Sequence, residues 1–208
     1  MANGTRERMI AATARLLQHR GYHGTSLSEI LAESGAPRGS LYFHFPGGKD
    51  EIAVVATRTA INETTRYLHR TLAEAKSPAK AVRTFFEEAA EVMSESGYTF
   101  GCPVAPMILD ASGGVTELEE MCREAFDEWT GLFRQAFVEA GIPKKRAEAL
   151  SLLVEAAIEG LLLIARSYRD VSPILTVAKE MEATIKAAMP ETARPRKRAP
   201  GQSATDHS

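Results

Sequence analysis

Cysteine is scarce in this 208-residue chain, with only Cys102 and Cys122 present. Their separation fits neither a Cys-x-x-Cys redox pair nor a paired metal-ligand spacing, so a disulfide framework is excluded and a reducing compartment is expected. Long apolar runs are also missing. The longest, from Gly160 to Ala165, falls far short of the roughly 20 residues of a membrane span. The first residues, MANGTRERMIAA, hold no apolar core of a secretory leader, which is about 7 to 15 residues long. A cytoplasmic protein without a membrane partner is therefore expected. Aromatics make up only 7% of the chain, whereas 44% is hydrophobic and 25% charged, the balance of an ordinary globular chain rather than a disordered one. Neither sign of charge dominates, since the formal net charge is -2.

That small total hides an asymmetry. Residues 1–50 sum to +2 and carry three further histidines, residues 51–190 sum to -6, and the last 18 residues return to +2. A mildly basic head on an acidic body is the distribution expected if the head alone meets phosphate.

No stretch alternates apolar and polar residues between tight turns, so strands are not expected. Helical periodicity is almost continuous. It predicts helices over Thr5 to Arg20, a short one capped by Ser26, Pro37 to His44, Lys49 to Ala75, Pro78 to Ser96, Pro103 to Ala111, Val115 to Ala140, Lys144 to Tyr168 and Ser172 to Met189. The expected fold is all-α, with about nine helices: a helix-turn-helix head over residues 1–48, an effector-binding and dimerisation body over 49–190, and a disordered tail over 191–208 that lacks large apolar residues.

The head carries the chemistry. Ser26 followed by Glu29 forms a capping box that starts the second helix, and Ser34-Gly35 ends it after about two turns. A third helix then follows Pro37, so residues 25–49, TSLSEILAESGAPRGSLYFHFPGGK, read as a helix-turn-helix whose second element can enter a major groove about 12 Å wide. Arg38 can donate twice to a guanine edge, Ser40 can pair with several bases, Gly39 lets the backbone come close, and Phe43 can meet a thymine methyl. Thr25 or Ser26, Tyr42, His44 and Lys49 stand where they can grip phosphates. Gly47-Gly48-Lys49 lacks the flanking residues of a phosphate loop, and His19 with His23 lacks further ligands, so neither a nucleotide cofactor nor a metal is expected.

The segment ending in Gly21-Tyr22, the Thr25-Ser26 start, Ile30-Leu31-Ala32, Ser34-Gly35, Leu41-Tyr42-Phe43-His44-Phe45 and Lys49 resembles the DNA-binding head of TetR-type transcriptional regulators. Ala36 to Ser40, Phe45 to Lys49 and Gly101-Cys102-Pro103-Val104 are similar to the LmrA/YxaF-like branch. The resemblance implies a homodimeric repressor that binds a near-palindromic double-stranded operator and is released by a small apolar or amphipathic effector held in the body. Where many members have a capping Ser or Thr, this chain has Pro37.

For the effector site the sequence offers an apolar stripe, Met121, Cys122, Ala125, Trp129 and Phe133, with Phe86, Met93, Phe100 and Met107 from neighbouring helices. Such stripes are usually core, yet methionine and aromatic groups also line adaptable pockets. Glu155 and Glu159 interrupt an otherwise apolar helix and share one face. They require a partner, either Arg166 or another base across a subunit interface, or a cationic effector. Cys102 is expected to be a buried, inert thiol rather than an oxidant sensor. The last two helices each carry an apolar stripe and can pack against their twofold copies as a four-helix bundle. Two other classes remain open: an enzyme using the apolar body, for which no nucleophile-base set is visible, and a DNA-binding protein without an effector.

Overall fold

The computed structural model describes residues 4–99, 101–110 and 115–191. Phe100 and nearly all of the tail expected to be disordered lie outside them. Among the described residues there are nine helices and no strand, in the order α1 (Thr5–Arg20), α2 (Leu27–Ser34), α3 (Ser40–His44), α4 (Gly48–Glu74), α5 (Pro78–Glu95), α6 (Ala105–Asp110), α7 (Thr116–Glu139), α8 (Lys144–Tyr168) and α9 (Ser172–Ala188). None is long and apolar enough to cross a membrane.

Local chemistry sets these boundaries. In α2 the Ser26 hydroxyl accepts from the Glu29 backbone N–H at 3.2 Å while the Glu29 carboxylate accepts from the Ser26 N–H at 2.9 Å. Two N–H groups that would otherwise be orphaned are thus satisfied reciprocally. Gly35 closes the helix in the left-handed conformation, φ 62°. Ser77 caps α5 and Pro78 occupies its first turn, where a missing N–H costs nothing.

α3 is shorter than the sequence predicts. The Pro37 carbonyl accepts both the Ser40 N–H at 2.9 Å and the Ser40 hydroxyl at 2.6 Å, forming a turn through Arg38 and Gly39 before the helix starts. Arg38 and Gly39 therefore precede the recognition helix rather than lie on it.

The head closes around Met9, Ile10, Leu17, Ile30, Leu41 and Phe45, against Ile52 and Ala53 from the start of α4. α1 packs on both α2 and α4, and the pairs Arg15–Glu33 and Arg20–Glu29 span α1 and α2 along their exposed edge. In the body, α5 lies along α9, α7 along α8, and α4 crosses α7. Arg83 and Lys80 of α5 meet Glu182 of α9 at 2.9 and 3.0 Å. The apolar core is continuous from head to body through α4, which mechanically joins the two parts.

Candidate DNA interface and effector cavity

α3 displays aromatic rings to solvent. Tyr42 is 62% and Phe43 80% exposed, while Leu41 before them and Phe45 after them are buried. The five-residue helix thus fastens its inner face to the head core and turns two large rings outward. Phe43 and His44 are in edge contact, centroids 4.9 Å apart. Arg38 and Ser26 are exposed, and Ser40 is half-buried. A Cβ added to Gly39 would meet nothing within 4 Å, so its lack of a side chain is not an internal packing requirement.

Lys49 places its Nζ 4.2 Å from the centroid of the Tyr22 ring, whose hydroxyl donates to Asp50. The ammonium is thereby held at the base of α4 beside α3. Arg6, which sequence reasoning missed, stacks its guanidinium 5.3 Å from the Phe45 ring. One expected phosphate contact is corrected: Thr25 is buried and its hydroxyl donates to the Gly21 carbonyl at 2.8 Å. Its hydroxyl holds the loop after α1 instead.

The body encloses a cavity of ≈ 270 Å³ between α4, α5, α7, α8 and the segment 101–103. Three of the expected pocket residues line it: Trp129, Glu155 and Glu159. Phe86, Met93, Met107, Met121, Cys122, Ala125 and Phe133 do not, because each is buried in solid core. Their place is taken by Tyr67 and Leu68 of α4 and by Phe85, Ala89 and Val92 of α5. The missed signal was present: Phe85, Ala89 and Val92 form a second apolar stripe on α5 at i, i+4 and i+7, beside the buried stripe of Val82, Phe86, Ala90 and Met93. A helix with two adjacent apolar stripes has one more than a single neighbour requires.

Trp129 is fixed by its indole N–H, which donates to Thr65 Oγ1 at 2.9 Å. Burial, reinforced by the neighbouring Glu159 carboxylate, pushes Glu155 up to about 8, and burial likewise raises Glu159. Within one protomer no salt bridge among the described residues involves either carboxylate, and Arg166 donates to the Thr99 carbonyl at 2.8 Å. The Cys102 thiol is hydrogen-bonded to Glu159 and accepts the N–H groups of Val104 and Ala105 at 3.4 Å. Burial pushes this thiol well up, so it stays protonated.

The cavity wall also touches the head. Gln18 of α1 donates to the Gly101 carbonyl, and the Asp110 carboxylate at the end of α6 accepts the His23 backbone N–H. Segment 101–110 thus borders the cavity on one side and α1 on the other.

Two family models match. That of bacterial regulatory proteins of the tetR family covers residues 9–56, and that of the LmrA/YxaF-like regulator C-terminal domain covers residues 78–180. The HTH-type transcriptional regulator LmrA of Bacillus subtilis (strain 168) is 34% identical over 84% of this chain and 93% of its own. A TetR transcriptional regulator from Chloroflexus aurantiacus superposes with a TM-score of 0.77 at 26% identity, covering 89% of this chain and 96% of that one. A cysteine mutant of the TetR-family regulator CifR, solved with 26-base-pair operator DNA, shares the fold with a TM-score of 0.71 at 21% identity over 88% of this chain and 96% of its own. With its head and body each matched in register, this chain belongs to the TetR family of transcriptional regulators and carries an LmrA/YxaF-like C-terminal domain.

Proposed function

We propose that the protein is a homodimeric, ligand-responsive repressor that reads a near-palindromic operator with α3 and the turn before it. The observation that carries this is the surface of α3, where Tyr42 and Phe43 stand out beside Arg38 and the Lys49 ammonium. Two large aromatic rings held in water at 62% and 80% exposure suit the methyl groups, sugars and phosphates of a groove. That the related CifR was solved on operator DNA supports the same use here.

Selection from random duplexes followed by gel-shift measurement tests the proposal. Recovery of a twofold-related sequence is expected, and no preference over bulk competitor at moderate salt would sink it. Arg38→Ala is expected to weaken the selected site by about 1–3 kcal/mol and relax one base position, whereas Lys49→Ala should weaken all duplexes evenly. Equal losses on matched and mismatched sites for Arg38→Ala would reassign it to the backbone.

Gly39 gives a cleaner test, since it lies at φ -72°, ψ -16° with open space at its Cβ position. Alanine fits that conformation and should leave stability unchanged or raise it by about 0.4–1 kcal/mol. If the backbone must approach DNA, operator affinity falls all the same. Unaltered affinity would remove Gly39 from the interface.

Dimerisation is supported by where apolar surface remains. Six of the exposed large hydrophobic side chains lie on α8 and α9, including Leu152, Leu153, Leu163 and Ile164. With exposed Ala156 and half-buried Gly160 they form an uncharged stripe along α8. Paired with its twofold copy, such a stripe yields the four-helix interface that spaces two α3 helices for adjacent major grooves, about 34 Å apart. The effector limb rests on the cavity and its contact with α1 through segment 101–110: a ligand preferring one setting of that segment shifts the head positions.

A further inference from the structure

We propose that the body cavity is built for a lipophilic organic cation, an apolar or aromatic body carrying one ammonium group, with Glu155 and Glu159 as its counter-charge. This rests on the reading of the cavity as the effector site and adds the chemical class of the ligand. The wall contains four glutamates and no lysine, arginine or histidine, in a lining that is otherwise mostly apolar. Glu155 and Glu159 stand one helical turn apart on α8 without a salt bridge among the described residues. Burying carboxylates costs several kcal/mol unless a cation or donors compensate. The Cys102 thiol is the one donor the wall offers Glu159, and no base in the wall faces either carboxylate. Glu63 and Glu88 are exposed at the mouth, where they draw cations inward. Phe85 and Trp129 supply aromatic rings of the kind that attract an ammonium group once it is desolvated, while the Tyr67 ring already has the Arg70 guanidinium 5.7 Å from its centroid.

The cavity also sets a proton balance. Glu155, pushed up to about 8, is largely protonated at neutral pH. A cation favours its ionised form, so the neutral carboxyl loses its proton to solvent as the ammonium enters, and the net charge of the site is conserved. The titratable groups around Glu155 are Glu159 on the same helix, Cys102 from segment 101–103, Glu63 and Tyr67 on α4, and Glu88 on α5; α7 presents Trp129, which does not titrate. A permanently charged ligand should therefore bind more tightly as pH rises, by about tenfold per unit below the Glu155 value, and level off above it.

Trp129 is the only tryptophan of the chain and lines the cavity, so its fluorescence reports occupancy. The full-length protein is titrated with benzyltrimethylammonium, with neopentylbenzene, its uncharged isostere with carbon in place of nitrogen, and with phenylacetate. The ammonium is expected to bind at least about tenfold more tightly than neopentylbenzene at pH 8, with the pH profile above, and phenylacetate not at all. Glu155→Gln with Glu159→Gln should erase the preference while neopentylbenzene still binds, which shows the cavity intact. Equal binding of the two isosteres overturns this proposal and leaves an effector site standing, as does preference for phenylacetate. A preference that survives both glutamines overturns the assignment to these carboxylates. Silence of Trp129 toward all three removes the cavity as an effector site as well. If the double variant does not fold, a flat pH profile for the unsubstituted protein overturns the proposal.

Discussion

Replacing Leu163 by arginine is expected to turn the proposed dimer into a monomer and to take specific operator binding with it. Leu163 is 63% exposed in one protomer, next to Ile164 on α8. A fully buried leucine contributes about 1.5–3 kcal/mol relative to an exposed one. Twofold symmetry makes every substitution count twice, and an unpaired guanidinium at the centre of an apolar bundle adds a desolvation cost of several kcal/mol. The isolated protomer has no reason to unfold, because its own core, including Leu161, Leu162 and Ala165 on the opposite side of α8, is untouched. Operator affinity falls because one head holds one half-site, and the linked second contact that raises avidity by about 10²–10⁴ is lost. Sedimentation and gel shift measure both effects. A Leu163→Arg protein that remains dimeric, with helical content unchanged, places the interface elsewhere.

That stripe also shows what the sequence conveys and what it withholds. α1 and α8 run between the residues that periodicity predicts, and α2 starts where Ser26 and Glu29 promise a reciprocal cap. These are local effects, decided within one or two turns of chain. The cavity is not local. Met121, Cys122, Ala125 and Phe133 share the α7 stripe with Trp129, yet of the five only Trp129 reaches the cavity. Periodicity identifies an apolar face without saying whether the partner surface fills it or stands back. Glu155 and Glu159 were legible for the opposite reason, since an ionisable group on an apolar face signals an unusual environment whatever packs against it. α3 fell short of its predicted start because Pro37 spends its carbonyl on a turn to Ser40, a choice that depends on how the head receives the loop. Thr25 misled because a hydroxyl near a helix start can serve the loop before it as readily as a phosphate.

Gly21→Ala is expected to destabilise the head strongly. Gly21 ends α1 at φ 70°, ψ -174°, a region that side-chain-bearing residues almost never occupy. Forcing alanine there costs of order 1–3 kcal/mol. Its Cβ would also stand 2.7 Å from Asp110 Oδ2, so the carboxylate must swing off the His23 N–H or the turn must open. For a chain of this size each kcal/mol lowers Tm by roughly 2–4 °C, so a fall of several degrees is expected. Asp110→Ala separates the two causes. It removes the acceptor of the His23 N–H without straining any backbone angle. Alone, it should leave operator affinity close to the parent value while reducing the proposed effector-driven release, because segment 101–110 loses one of its two hydrogen bonds to the head and keeps only that from Gln18 to the Gly101 carbonyl. With typical allosteric coupling of 1–3 kcal/mol, the lost response amounts to roughly five- to 150-fold. In the Gly21→Ala/Asp110→Ala pair the collision is relieved but the backbone strain stays, so the two effects on stability should be non-additive. Release that remains complete in Asp110→Ala means that the His23 contact does not carry the signal, which then reaches the heads through Gln18 and Gly101 or through α4, along the continuous core that joins head to body.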